Sequence, residues 1–170
     1  NIHIDTLDPQ HLHRLMRGGS TAEIWAGIKA AEAAGLRPIK LNVVVTQGSN
    51  ERDVVDLAAL TQTREWHVRF IELMPLGGGE CAQIARDRYV SNVETRQRIE
   101  AGLGPLTLLP DQHPADESQN FCLPGARGVV GLISPVSRPY CGTCNRMRLT
   151  ADGKFHLCLL RDGHIDIRAA

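Results

Sequence analysis

The run Val43-Val44-Val45, inside an extended-favouring stretch from Pro38 to Thr46, constrains this chain more than any other feature. Three consecutive β-branched residues without polar alternation mark a strand covered on both faces. That is the habit of parallel sheets whose connections are helices. The flanking sequence supplies the helices. Ser20 or Thr21 opens one that runs through Ala34, with Glu23 placed for a capping box from Ser20. Ile24, Ile28, Ala31 and Ala34 recur at helical spacing, Gly27 on the same face would admit a closely approaching neighbour, and Gly35 ends the helix. Asn50 is expected to cap a second helix, with Val54, Leu57, Ala58 and Leu60 as its buried stripe. His67 to Leu73 is the next strand, closed by Pro75 and the glycines Gly77 to Gly79.

Before these elements, Asn1 to Asp5 alternates polar and apolar residues and reads as a strand, followed by a turn at Asp8-Pro9 and a loop at Gly18-Gly19. A chain that opens inside a strand is expected to be a piece of a longer one. Strands spaced by helices imply right-handed βαβ units and a parallel sheet or barrel. Three such strands cannot close a barrel, and the first would present an unpaired edge.

The rhythm then changes. Ser91 to Leu103 is a helix with Val93, Ile99 and Leu103 expected inside, and Pro105 to Leu109 is a short strand. Asp111 to Asn120, with Pro114, reads as a loop or linker. Short β-like runs follow at Gly128 to Ser134, Asn145 to Thr150 and Phe155 to Leu159, with a turn at Asp152-Gly153. The expected division is therefore an α/β lobe over residues 1–90 and a small β-rich lobe over 91–170. Acidic and basic residues balance at 19 each, so no net field recruits nucleic acid or a membrane surface, and any anion site must be local. No apolar run approaches the ~18 residues that a membrane helix needs.

The β-rich lobe carries Cys141-Gly142-Thr143-Cys144 and, further on, Cys158. Two thiols two residues apart reach one metal centre across a tight turn, and Gly142 supplies the freedom that turn needs. Three clustered thiols leave either an iron of a cluster open or a fourth ligand drawn from His156, His164, Cys122 or Cys81. The spacing alone leaves an iron–sulfur cluster and a Cys3His zinc site both open. A disulfide framework is the weaker reading, because the 5 cysteines are odd in number and no secretory signal precedes them. Cys81 and Cys122 read as lone small residues.

Polar residues also stand where strands should be apolar. Lys40 and Asn42 alternate with Ile39, Leu41 and Val43; Arg69 precedes an apolar run; Asn1, His3 and Asp5 share one strand face. They are either solvated strand ends or residues turned into a barrel lumen, and the recurrence on three strands favours the lumen. Arg146, Arg148 and Thr150 follow the first thiols at i, i+2, i+4 and would share a strand face, where arginine forks suit phosphate oxygens. An exposed basic strand face is the plainer alternative. Met74 reads as core filler and Glu72 as either a functional carboxylate or a solvated strand residue.

Cys141-Gly-Thr-Cys144-Asn-Arg146-Met-Arg148-Leu-Thr-Ala-Asp-Gly-Lys, preceded by Ser134-Pro-Val-Ser, resembles the C-terminal cluster motif of the GTP 3′,8-cyclase family. These are the radical S-adenosylmethionine enzymes of the molybdenum cofactor biosynthesis protein A type. The resemblance extends back through Arg69-Phe-Ile-Glu-Leu-Met-Pro-Leu-Gly, Pro38-Ile-Lys-Leu-Asn and Asp5-Thr-Leu-Asp, in order and over essentially the whole chain.

The resemblance implies the C-terminal half of an incomplete (β/α)6 TIM-like radical S-adenosylmethionine barrel, followed by a small β-rich iron–sulfur domain. It implies that Cys141, Cys144 and Cys158 hold a [4Fe–4S] cluster with one iron free for the purine of GTP. Lys40, Arg69, Arg146 and Arg148 match the family's triphosphate contacts. Met74 matches a contact to S-adenosylmethionine, and His3 stands where the family usually has a serine for that cofactor. The implied reaction converts GTP to 3′,8-cyclo-7,8-dihydro-GTP through a 5′-deoxyadenosyl radical made at a second [4Fe–4S] cluster. That second cluster's C-x-x-x-C-x-x-C motif does not occur in these residues, so the chain alone is expected to be inactive. The chain ends at Ala170, short of the family's glycine-ended tail. The family further implies hand-off to cyclic pyranopterin monophosphate synthase, admits a homodimer, and places the enzyme in the bacterial cytoplasm or, in eukaryotes, the mitochondrion.

Overall fold

In the computed structural model, residues 1–16, 18–110, 113, 116–161 and 163–168 are described. They build a mixed α/β structure around a six-stranded, mostly parallel sheet. In chain order the elements are β1 (Ile2–His3), α1 (Pro9–Leu15), α2 (Thr21–Ala33), β2 (Lys40–Val45), α3 (Val54–Thr63), β3 (His67–Glu72), α4 (Gly79–Asp87), α5 (Asn92–Leu103), β4 (Thr107–Leu108), β5 (Ser118–Cys122) and β6 (Val129–Ile133). A one-turn 3-10 helix at Cys141–Thr143 leads to β7 (Arg148–Leu149), β8 (Lys154–His156) and β9 (His164–Asp166), which form a separate three-stranded antiparallel sheet. The large sheet runs β1-β2-β3-β6-β5-β4, with β1, β2, β3 and β6 parallel and β5 and β4 antiparallel.

The two faces of β2 and β3 differ, so the doubly covered strand that Val43-Val44-Val45 implies is only half realised, Val44 being half-buried. Leu41, Val43 and Val45 on β2, and Val68 and Phe70 on β3, are fully buried beneath Ile28 of α2, Val54, Leu57 and Ala58 of α3 and Ile99 of α5. Each such side chain contributes roughly 1.5–3 kcal/mol by leaving water. Lys40, Asn42 and Val44, and His67, Arg69 and Ile71, are half-buried on the opposite face. The sheet is therefore amphipathic across its thickness.

The helix α2 opens as the sequence predicts. Ser20 Oγ accepts from the backbone N–H of Glu23, and Glu23 accepts from the N–H of Ser20. Gly35 closes it at φ 72°, a left-handed conformation that only glycine adopts without strain.

Other expectations need correcting. Gly27 is exposed and admits no close neighbour, for an added Cβ there would meet open space. Asn50 does not cap α3, whose N-cap is Asp53. It is buried in the turn instead, accepting from the N–H of Thr46 and donating to the carbonyls of Asp5 and Val44. Those bonds tie the end of β1 to the end of β2, a long-range task that local spacing does not reveal. On α5, Val93 is exposed and Asn92 and Thr95 are buried beside Ile99. The helix is rotated relative to the apolar pattern because Asn92 has hydrogen bonds to make inside.

Two helices and two strands were not anticipated. Asp8 caps α1 by accepting from Gln10 and His11, with Pro9 at its first position; a short helix of this kind shares its opening residues with a turn. Helix α4 begins at the third of three positive-φ glycines. Strand β5 falls in the polar stretch read as a linker, of which Asp111, Gln112, Pro114 and Ala115 lie outside the described residues. Pairing with β6 and β4 overrides its poor intrinsic preference. Strand β9 completes the small sheet. Because β5 and β6 join the same sheet as β2 and β3, the change near residue 90 marks where the βα rhythm stops and not a gap in the core.

Candidate functional site

Pairing across the large sheet brings the polar residues of separate strands into one row. His3 is level with Asn42, Asn42 with Arg69, Arg69 with Gly131, and Gly131 with Asn120. Arg69 is the centre of the row. Its Nε donates to Asn42 Oδ1 at 2.8 Å and its Nη2 to Asn1 Oδ1 at 2.6 Å, and its side chain is only 11% exposed. Gly131 makes the room: a Cβ there would sit 2.9 Å from Arg69 Cγ and 2.5 Å from Ser118 Oγ. Lys40 occupies the next row out, level with His67. Burial holds the His67 imidazole below its usual value, and the charges of Lys40 and Arg69 push the same way.

Glu72, the last residue of β3, is neither a solvated strand residue nor a free carboxylate. It is 1% exposed and accepts from the backbone N–H groups of Asn92, Val136 and Ser137 and from the Ser137 hydroxyl. Burial alone would raise its pKa, but the Ser137 hydroxyl and these N–H groups outweigh it and hold the group below the usual carboxylate value. The adjoining Asn92 side chain donates to Ile133 O and Ser134 Oγ. Together they fix the Ser134–Ser137 turn that leads into the cysteine loop.

Past that turn, Cys141 and Cys144 are exposed and Cys158 is half-buried. All three line a cleft of about 710 Å³ with Arg146, Arg161 and His164. The same thiols border a smaller cleft of about 120 Å³, shared with Met74, Tyr140, Arg146 and Arg148. The backbone N–H of Leu160 donates to Cys158 Sγ at 3.3 Å. Among the described residues, no three His, Cys, Asp or Glu side chains are grouped to hold a single metal ion as they stand. His164 stacks on His156 at 5.8 Å. Cys158 lies beyond the end of β8, so it does not share a strand face with His156 as its spacing suggests.

The arginine pair is also arranged differently from its expected i, i+2 strand face. Only Arg148 lies on β7, opposite His156. Arg146 precedes the strand, sits over the Tyr140 ring at 5.7 Å, and donates to Glu117 Oε2. The other oxygen of Glu117 lies 3.6 Å from Arg69 Nη1. One carboxylate thus joins an arginine of the large sheet to an arginine of the cysteine loop. His3 Nε2 lies 3.0 Å from Asp5 Oδ2, and that hydrogen bond raises the His3 pKa against the opposing effect of burial.

Residues 66–170 match the family model described as Molybdenum Cofactor Synthesis C. The chain belongs to that family. Longer proteins resemble the whole of this chain. It is 45% identical over 168 residues to the GTP 3′,8-cyclase of Moorella thermoacetica, covering 99% of this chain and 51% of that protein. It is 46% identical over 175 residues to the GTP 3′,8-cyclase of Microcystis aeruginosa, covering 100% of this chain and 52% of that one. The Gloeobacter violaceus GTP 3′,8-cyclase is 44% identical over 99% of the chain. The chain corresponds to the C-terminal portion of such proteins and spans about half the length of the curated relatives it matches.

Within this Molybdenum Cofactor Synthesis C chain, the structure brings Met74, Arg146, Arg148 and the three cysteines to one cleft. Lys40 and Arg69 lie on the sheet face, and Glu117 connects Arg69 to the loop. Sequence reasoning missed Glu117 and Gly131. Glu117 sits in a polar stretch without periodicity, and a glycine inside the apolar run of β6 was the available signal of a close approach. No helix among the described residues is long and apolar enough to cross a membrane.

Proposed function

We propose that this chain is the nucleotide-holding and cluster-bearing portion of a GTP 3′,8-cyclase, a lyase of molybdenum cofactor biosynthesis. The observation that carries the reading is the smaller cleft. It places Arg146, Arg148 and Met74 on the walls that Cys141, Cys144 and Cys158 also form. Three soft thiol ligands, with no carboxylate among the described residues lining their cleft, suit an iron–sulfur cluster, which spreads its thiolates over several irons and so needs no single closed ligand set. When bound, a [4Fe–4S] cluster on these three thiols would supply an iron with an open position for the purine base.

The chain's own residues do the rest. Arg146 and Arg148 offer planar forks to phosphate oxygens from the cysteine loop, and Arg69 and Lys40 offer cations from the sheet face. Asn42, Asn1 and Gly131 pre-set the Arg69 guanidinium, so little ordering entropy remains to be lost on binding. Met74 would contact S-adenosylmethionine at the cleft wall, and His3, paired with Asp5 on the polar row, would contribute to the same cofactor's binding. Residues 1–90 would supply part of a (β/α)6 barrel, a reading supported by the parallel pairing of β1, β2 and β3 with helices packed on them, and 91–170 would bear the cluster, with β4, β5 and β6 of that segment continuing the large sheet.

Anaerobic iron and sulfide analysis of the purified chain tests the proposal, with EPR spectra of the reduced sample before and after GTP. About four irons and four sulfides per chain and a GTP-perturbed spectrum are expected. Stoichiometric zinc without sulfide would instead make the loop a zinc-clipped module, and the cyclase reading would fall. Cleavage of S-adenosylmethionine by this chain unaided would contradict its expected inactivity.

A further inference from the structure

We propose that Glu117 is the resident occupant of the polyphosphate cradle: it holds Arg69 and Arg146 until a polyphosphate displaces it, and so limits affinity. The inference rests on the polyphosphate reading above. Its basis is that the two carboxylate oxygens of Glu117 meet two arginines from different parts of the fold. Oε1 lies 3.6 Å from Arg69 Nη1 on β3, and Oε2 accepts from Arg146 Nη2 in the cysteine loop. That is how neighbouring oxygens of a polyphosphate would engage the same forks.

Glu117 is not needed to orient Arg69. The Asn42 and Asn1 side chains already fix that guanidinium at 2.8 and 2.6 Å, and the approach of Arg69 to Glu117 is too long for a hydrogen bond. Arg146 differs. It is about one-third exposed, and besides Glu117 its described contact is the face of Tyr140. Glu117 therefore draws a partly exposed, cationic side chain toward a fixed one and cancels part of their combined charge. The Glu117 side chain is itself 29% exposed, so an incoming anion can reach the same atoms. A polyphosphate carries several negative charges where the carboxylate carries one, so it wins the exchange, but it must first break the contacts that Glu117 makes. Removing the carboxylate removes that competition and leaves the arginines in reach.

The test is calorimetric titration of the purified chain with inorganic tripolyphosphate and with GTP. Glu117→Gln, which keeps side-chain size, and Glu117→Ala are both expected to bind either ligand about five- to tenfold more tightly. Arg69→Ala is expected to bind both more weakly. Tightening is a readout that mere loss of packing cannot produce. Equal or weaker binding by both Glu117 variants, with Arg69→Ala weakened, overturns the resident-carboxylate proposal and leaves the polyphosphate reading standing. Unchanged binding by Arg69→Ala overturns both.

Discussion

The backbone N–H of Ser137 donates at 2.9 Å to the carboxylate of Glu72, a residue 65 positions earlier in the chain. This bond fastens the root of the cysteine loop to the end of β3, next to Met74. Glu72→Gln would keep the shape but set an amide against N–H donors. It should destabilise the chain by about 1–3 kcal/mol, read as a lowered thermal midpoint. The pH sign follows from a folded pKa below the ordinary 4.5. The carboxylate's contribution is complete above 4.5 and lost as pH falls through the folded value. The stability gap between wild type and Glu72→Gln should therefore close on acidification. A gap that persists at low pH would mean that the charge is not what matters.

Gly131→Ala tests the positioning of Arg69. The new methyl group would collide with Arg69 Cγ and Ser118 Oγ and push the guanidinium out of its row. Tripolyphosphate binding should fall about tenfold, with an overpacking cost of ~1–3 kcal/mol. Unaltered affinity would show that Arg69 binds from more than one position.

His3 supplies a titration. Its pKa is raised chiefly by the hydrogen bond to Asp5, so the pairing adds stability below pH 6.5 and loses it as pH rises through the folded value. Asp5→Asn can still accept from the N–H of Val44, as Asp5 does at 2.8 Å. NMR titration should show the His3 pKa drop in that variant, and no drop would dissociate His3 from Asp5.

The cysteines separate into two groups. Cys141, Cys144 and Cys158 share a cleft, whereas Cys81 lies on α4 and Cys122 on β5. After anaerobic reconstitution, serine at any of the first three should sharply reduce iron and sulfide content. Serine at Cys81 or Cys122 should leave both near wild type. Loss at Cys122 would identify it as a fourth ligand.

The parallel core was legible because its signals are local: the Val43–Val45 run, the Ser20–Glu23 capping box and the apolar stripe of α3 each sit within a few residues. The polar row was half legible. Alternation placed Asn42 and Arg69 on one face, but their alignment with Gly131 and Asn120 depends on pairing across the sheet. Asn50, Glu72 and Glu117 were misread or missed for one reason: each bonds to partners distant in sequence, and no spacing pattern records that. The arginine pair shows the opposite failure. A regular i, i+2 spacing suggested a strand that begins only at Arg148, because Arg146 is drawn out toward Glu117.

The in-register row from His3 to Asn120 ties the sheet's chemistry to its architecture. Side chains alternate along a strand, so deleting or inserting one residue within β2 or β3 would send Asn42 or Arg69 into the helix-packed interior and bring Leu41 or Phe70 out. Length variation is thus barred from these strands and confined to the connections between them. A lineage can reshape the loops freely, but it cannot alter the spacing of the polar row without dismantling the core beneath it.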